Sequence, residues 1–82
     1  LAAKAGINML VQTAAEEMKE FDVNINAVLP SIIDNPQNRI DMPDADVDTW
    51  VSPDGLAEFV GSLCEPVSKH LNGSLIPISG RV

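Results

Sequence analysis

The chain has 82 residues, with five Lys or Arg against twelve Asp or Glu, a formal net charge of −7 and 45% apolar residues. That length holds at most one small domain of marginal stability. Cys64, the only cysteine, cannot form an internal disulfide to reinforce it. The acidic balance argues against nucleic acid as a partner. No run approaches the ~18–20 apolar residues of a membrane span, and one His with one Cys cannot build a zinc site. The chain opens with neither Met nor a basic stretch, so we read it as a piece of something longer with no secretory leader. A lone thiol points to a reducing compartment or a buried site, and we expect a cytoplasmic protein.

Residues 1–21 are predicted to form one helix. Ile7, Leu10, Val11, Ala14, Ala15, Met18 and Phe21 follow the spacing of a single apolar stripe. The first residues hold no N-cap and place Lys4 in the first turn, where the helix dipole disfavours it, so the helix is expected to begin before residue 1. Gly6 inside it invites close approach of a neighbour. Residues 23–29, rich in β-branched side chains and closed by Pro30, read as a strand apolar enough for a sheet covered on both sides. Residues 30–51 form a long acidic loop punctuated by proline, with room for short helical turns. Ser52-Pro53-Asp54 combines an N-cap, a proline at the first helical position and an acidic first turn, and opens a helix over 52–65 with Leu56, Phe59, Val60, Leu63 and Cys64 on its apolar face. Asn72-Gly73 signals a turn before a last strand, 74–79, in which Pro77 argues for a sheet edge. Two strands joined by a helix at this spacing form a right-handed parallel crossover. Two parallel strands do not make a stable sheet unaided, so further strands are expected elsewhere.

Lys4 lies about 20° from Val11 and 60° from Ile7 around the helix, inside the apolar stripe. It is either a lysine snorkelling from a helix end or one aimed at a substrate or partner. Asp44, Asp46 and Asp48 alternate like the start of a calcium loop, but the required glycine does not follow and Gly55 stands where the bidentate glutamate belongs, so we read a solvated acidic lid. Met42 and Trp50 either line a substrate side or, for Trp50, join the core. His70, near a helix end, suits a surface or capping role. Cys64, with Glu65 beside it, reads as a buried small hydrophobe without activation.

Several of these segments resemble one family. Ala2-Ala3-Lys4-Ala5-Gly6-Ile7 is similar to the stretch after the catalytic tyrosine in the Tyr-x-x-x-Lys motif of short-chain dehydrogenases/reductases, with Leu1, Ala2 and Ala3 as the spacers. Val23 to Ser31 resembles the strand that runs into the family's Pro-Gly turn. Residues 32–36 resemble the stretch that contacts the nicotinamide carboxamide through its backbone and a threonine. Asn72 to Gly80 resembles the last strand. Ser31 stands in place of the usual glycine and Asn35 in place of the usual threonine; Asn35 keeps both a donor and an acceptor.

The resemblance implies an α/β fold: the C-terminal helix-strand-helix-strand part of a doubly wound Rossmann-like parallel sheet. It implies an NAD(P)-dependent oxidoreductase that interconverts a carbonyl and an alcohol on a small molecule, with NAD or NADP as cofactor and a homo-dimer or homo-tetramer as the assembly. The fragment alone would be inactive. In this reading Lys4 is catalytic, and Lys4, Pro30, Ser31, Ile33 and Asn35 bind cofactor. Lys4 hydrogen-bonds the nicotinamide ribose and lowers the pKa of a tyrosine directly before Leu1. The alternative is a non-catalytic family member or a self-associating scaffold.

Overall fold

A computed structural model describes residues 2–82; Leu1, where the first predicted helix was set to start, lies outside the described residues. Helix α1 spans Ala2–Glu17 and tightens into a 3₁₀ turn at Met18–Phe21. It stops at Asp22, whose left-handed backbone (φ 57°, ψ 38°) is one that aspartate tolerates better than most residues. Beyond the helix's own nearby backbone, no atom lies within 4 Å of where a Gly6 Cβ would stand, so the close neighbour expected there is absent among the described residues.

Strand β1 is Ala27–Pro30, not 23–29. The later start has its cause in bonds to a distant part of the chain. Asn24 Nδ2 donates to the Lys69 carbonyl at 2.8 Å and Asn26 Nδ2 to the Leu71 carbonyl at 3.1 Å. Ile25 N–H donates to Asn72 Oδ1 at 3.0 Å, and Ser74 N–H to Asn26 Oδ1 at 3.0 Å. Side-chain amides thus interleave with a single backbone bond ahead of the strand, from Gly73 N–H to the Ile25 carbonyl at 2.8 Å, and break the regular ladder there. Asn72 also donates from Nδ2 to the Ala15 carbonyl at 3.2 Å, which seats the end of α1 against the turn that precedes the last strand. Ala15, only 1% exposed, is the best-buried residue described.

The long loop carries helix α2, Pro36–Asp41, and a 3₁₀ turn at Val47–Thr49. The Asp46 side chain accepts from Asp48 N–H and so opens that turn. Helix α3 covers Pro53–Ser62, with Ser52 Oγ accepting from Gly55 N–H at 3.0 Å. It ends short of the predicted residue 65. Cys64 and Glu65 close i→i+3 bonds instead, and Glu65 takes the extended conformation that a following proline imposes. Cys64 therefore leaves the apolar face, and it is exposed, not buried as expected.

Strand β2, Leu75–Ile78, lies parallel to β1 with Ala27 opposite Leu75 and Pro30 opposite Ile78. Bonds from Ala27 N–H to the Ser74 carbonyl and from Ser31 N–H to the Ile78 carbonyl, both 2.9 Å, extend the pairing by a rung at each end. In this phase the positions of Pro30 and Pro77 turn away from the partner strand, so neither proline removes a rung. A parallel bridge between Ile33 and Val51 ties the loop after β1 to the segment before α3. Trp50 and Val51, 8% and 6% exposed, are the other core residues, which settles Trp50 as core. The radius of gyration is 15.0 Å against about 12 Å for a compact domain of this length, so the sheet and α1 present faces that this chain does not itself cover. No helix among the described residues is long and apolar enough to cross a membrane.

Candidate functional site

A cavity of about 380 Å³ opens where α1 passes the end of β1. Lys4, Ile7 and Asn8 form one wall and Val28, Leu29 and Pro30 the other. Lys4 and Pro30, 26 positions apart in the chain, therefore meet in one site. The helix repeat explains the first wall, because residues 4, 7 and 8 are i, i+3 and i+4 on one face. The parallel strand explains the second, since it delivers its C-terminal end to the cavity mouth. Asn8 escaped the reading of the sequence. Its signal was its place one turn beyond Lys4 on the same face.

Ser31, Ile33 and Asn35 are not in the cavity wall; they lie along the chain leaving Pro30. Ser31 Oγ donates to the Ser79 carbonyl at 2.8 Å, so its hydroxyl locks the ends of the two strands together. Its backbone N–H is engaged with Ile78, as described above. Around Ile33 the backbone is held on one side. Val51 N–H donates to the Ile32 carbonyl and Asp34 N–H to the Val51 carbonyl, both at 2.8 Å. No peptide bond in the described chain is cis, so the Ile33 N–H points opposite to the Ile32 carbonyl and away from Val51. Asn35 caps α2: its Oδ1 accepts from Asn38 N–H at 2.7 Å. One lone pair of its Oδ1 is thereby engaged, and both Nδ2 hydrogens remain as donors.

Asp34 and Arg39 form a two-point ion pair, with Nε to Oδ1 at 2.7 Å and Nη2 to Oδ2 at 2.9 Å. The guanidinium hydrogen bonds hold the Asp34 carboxyl below the usual carboxylate range, and the same bonds raise Arg39. The pair fixes the turn between Ile33 and α2.

No family model matches the chain. A (3R)-3-hydroxyacyl-CoA dehydrogenase of Mus musculus is 30% identical over an 88-residue alignment that covers 96% of this chain and 34% of that protein. Among solved structures, an NADPH-bound short-chain oxidoreductase from Pseudomonas aeruginosa PAO1, with an atypical catalytic centre, superposes with a TM-score of 0.80 at 26% identity, over 96% of this chain and 36% of that one. A 4-hydroxyisoleucine dehydrogenase complexed with NADH shares the fold, with a TM-score of 0.77 at 21% identity, over 96% of this chain and 35% of that one. The chain spans about a third of the length of the relatives it matches. Over nearly its whole length it resembles the C-terminal segment of short-chain dehydrogenases/reductases, with the Rossmann-like α/β arrangement that the sequence implied.

Proposed function

We propose that the chain is the C-terminal part of an NAD(P)-dependent oxidoreductase that interconverts a carbonyl and an alcohol on a small molecule, and that Lys4 is its catalytic lysine. The observation that carries this reading is the meeting of Lys4 with Pro30 in one cavity at the C-terminal end of a parallel strand, the end at which open α/β sheets bind ligands. The NADPH-bound relative supports NAD or NADP as the cofactor.

The residues present suit such a cofactor. The wall of Val28, Leu29 and Pro30 offers an apolar surface to a nicotinamide ring. The Ile33 N–H, turned away from Val51, and the Asn35 Nδ2 hydrogens are donors for a carboxamide oxygen. Ser31 keeps the turn after Pro30 closed onto β2. When bound, the nicotinamide supplies or takes up the hydride. The ammonium of Lys4 has two tasks. It donates to ribose hydroxyls, and it favours the ionised form of a neighbouring phenol, which at its ordinary pKa of about 10 is a poor acid-base group at neutral pH. By the spacing of the Tyr-x-x-x-Lys motif, that phenol would be a tyrosine directly before Leu1.

The test is Lys4→Ala in the full-length protein. Turnover is expected to fall by about 10²-fold or more, as when a transition-state donor is removed, with weaker NAD(P)H binding. Turnover within a factor of two of wild type would remove Lys4 from the mechanism.

A further inference from the structure

We propose that Asn38 is a positioning residue that sets the carboxamide-binding edge of the site, a role that rests on the oxidoreductase reading above. Asn38 is not part of the cavity wall. It reaches the site through two bonds made by different parts of one residue. Its side-chain Nδ2 donates to the Ile33 carbonyl at 2.8 Å, and its backbone N–H donates to Asn35 Oδ1 at 2.7 Å.

Each bond fixes one of the two donors assigned to the carboxamide. The Ile32–Ile33 peptide is held through its carbonyl by Val51, and the Ile33–Asp34 peptide through its N–H by Val51 and its carbonyl by Asn38. Val51 alone reaches both flanking peptides, and the Asn38 side chain adds a second bond to the Ile33–Asp34 peptide, which narrows the directions open to the Ile33 N–H. The bond to Asn35 Oδ1 orients the side-chain amide and leaves both Nδ2 hydrogens for a ligand. A threonine hydroxyl in that place would offer one rotating donor; Asn35, so held, offers two in a set direction. The edge therefore offers donors to an acceptor, the carboxamide oxygen; the backbone N–H of residue 38 holds Asn35 whatever side chain it carries, so the bond from Asn38 Nδ2 to the Ile33 carbonyl is the one that the side chain contributes and that its substitution removes. Asn38 itself is half-buried at the third position of α2, where leucine or alanine fits the helix at least as well.

The experiment measures binding of two ligands to the full-length protein and to Asn38→Leu and Asn38→Ala. One ligand is NADH or NADPH, whichever wild type binds more tightly. The other is the matching ADP-ribose or 2′-phospho-ADP-ribose, which has the same phosphates and adenosine but no nicotinamide. Both variants are expected to bind the dinucleotide about fivefold more weakly, the weight of one neutral hydrogen bond, with the ADP-ribose affinity unchanged. Equal losses for the two ligands mean a general structural role, and no loss for either means no role; each overturns the inference while leaving the oxidoreductase reading intact. Wild type that binds neither ligand overturns the oxidoreductase reading, and this inference with it.

Discussion

Gly80 follows β2 in a left-handed conformation, φ 61°, and its backbone lies on the segment that carries the core tryptophan. A Cβ added there would stand 2.6 Å from the Thr49 carbonyl oxygen and 3.4 Å from the Trp50 carbonyl carbon, a backbone clash that no side-chain rotation relieves. Gly80→Ala must therefore shift one segment by several tenths of an ångström. The shift strains the bond from Arg81 N–H to the Thr49 carbonyl, 2.9 Å in the native chain. The left-handed conformation costs alanine about 1–2 kcal/mol, and losing one backbone hydrogen bond about 1 kcal/mol. The expected loss is thus about 2–3 kcal/mol, which for a full-length protein of ~250 residues is roughly 4–6 °C in melting temperature. The assay is thermal and urea unfolding followed by circular dichroism, with Trp50 emission isolated by difference against Trp50→Phe. Emission from folded Gly80→Ala is expected to shift to the red as the Thr49–Val51 segment loosens. Stability within about 0.5 kcal/mol of wild type, the scatter of ordinary surface substitutions, would refute the steric argument.

The other expectations concern acid and assembly. Asp34 sits below the usual carboxylate range because Arg39 binds its charged form, so its contribution is complete above the unfolded carboxyl pKa of about 3.9 and is lost as pH falls through the lower folded value. Denaturation midpoints measured from pH 6 to pH 2 should fall less steeply for Asp34→Asn than for wild type, and high salt should shrink the difference because the pair is open to solvent; superimposable pH profiles would sink this assignment. The isolated 82 residues leave Met9 and Leu10 of α1 65% and 66% exposed, so the fragment is expected to self-associate or to unfold without a sharp transition. A monomer by sedimentation at micromolar concentration that unfolds cooperatively would contradict that.

What the sequence showed depended on how local the cause was. Helix α3 was legible because Ser52, Pro53 and Asp54 act within one turn, and the order of helix, strand, helix and strand followed from periodicity. The start of β1 was misplaced because Asn24 and Asn26 form their bonds with residues 45 positions away, and nothing near them signals that. The stop of α3 was overrun because its apolar spacing continues through Leu63 and Cys64, while the bond from Ser62 Oγ to the Phe59 carbonyl and the pull of Pro66 end the helix first. The loop was read with room for short helical turns, but α2 was not placed within it, although Asn35-Pro36 is a cap followed by proline, the same signal that was read at Ser52-Pro53. At the site, Lys4 stood out as a cation in an apolar stripe and Pro30 as a strand end. Asn38 could not stand out, because its work is done through the carbonyl of Ile33, which no residue type announces.

The parallel pairing of β1 with β2 also has a kinetic consequence. Facing residues of the two strands are 48 positions apart, and the bond from Asn72 to Ala15 spans 57. The chain must close these long loops, at an entropic cost that grows with the logarithm of their length, before the first rung returns any energy. Helices α1 and α3 can flicker into being alone, but β1 has no local partner to hold it while it waits. Folding of this segment should therefore be limited by the search that brings residues 72–78 to β1, placing it with the slower topologies. Until that search succeeds, the cavity beside Lys4 lacks its second wall.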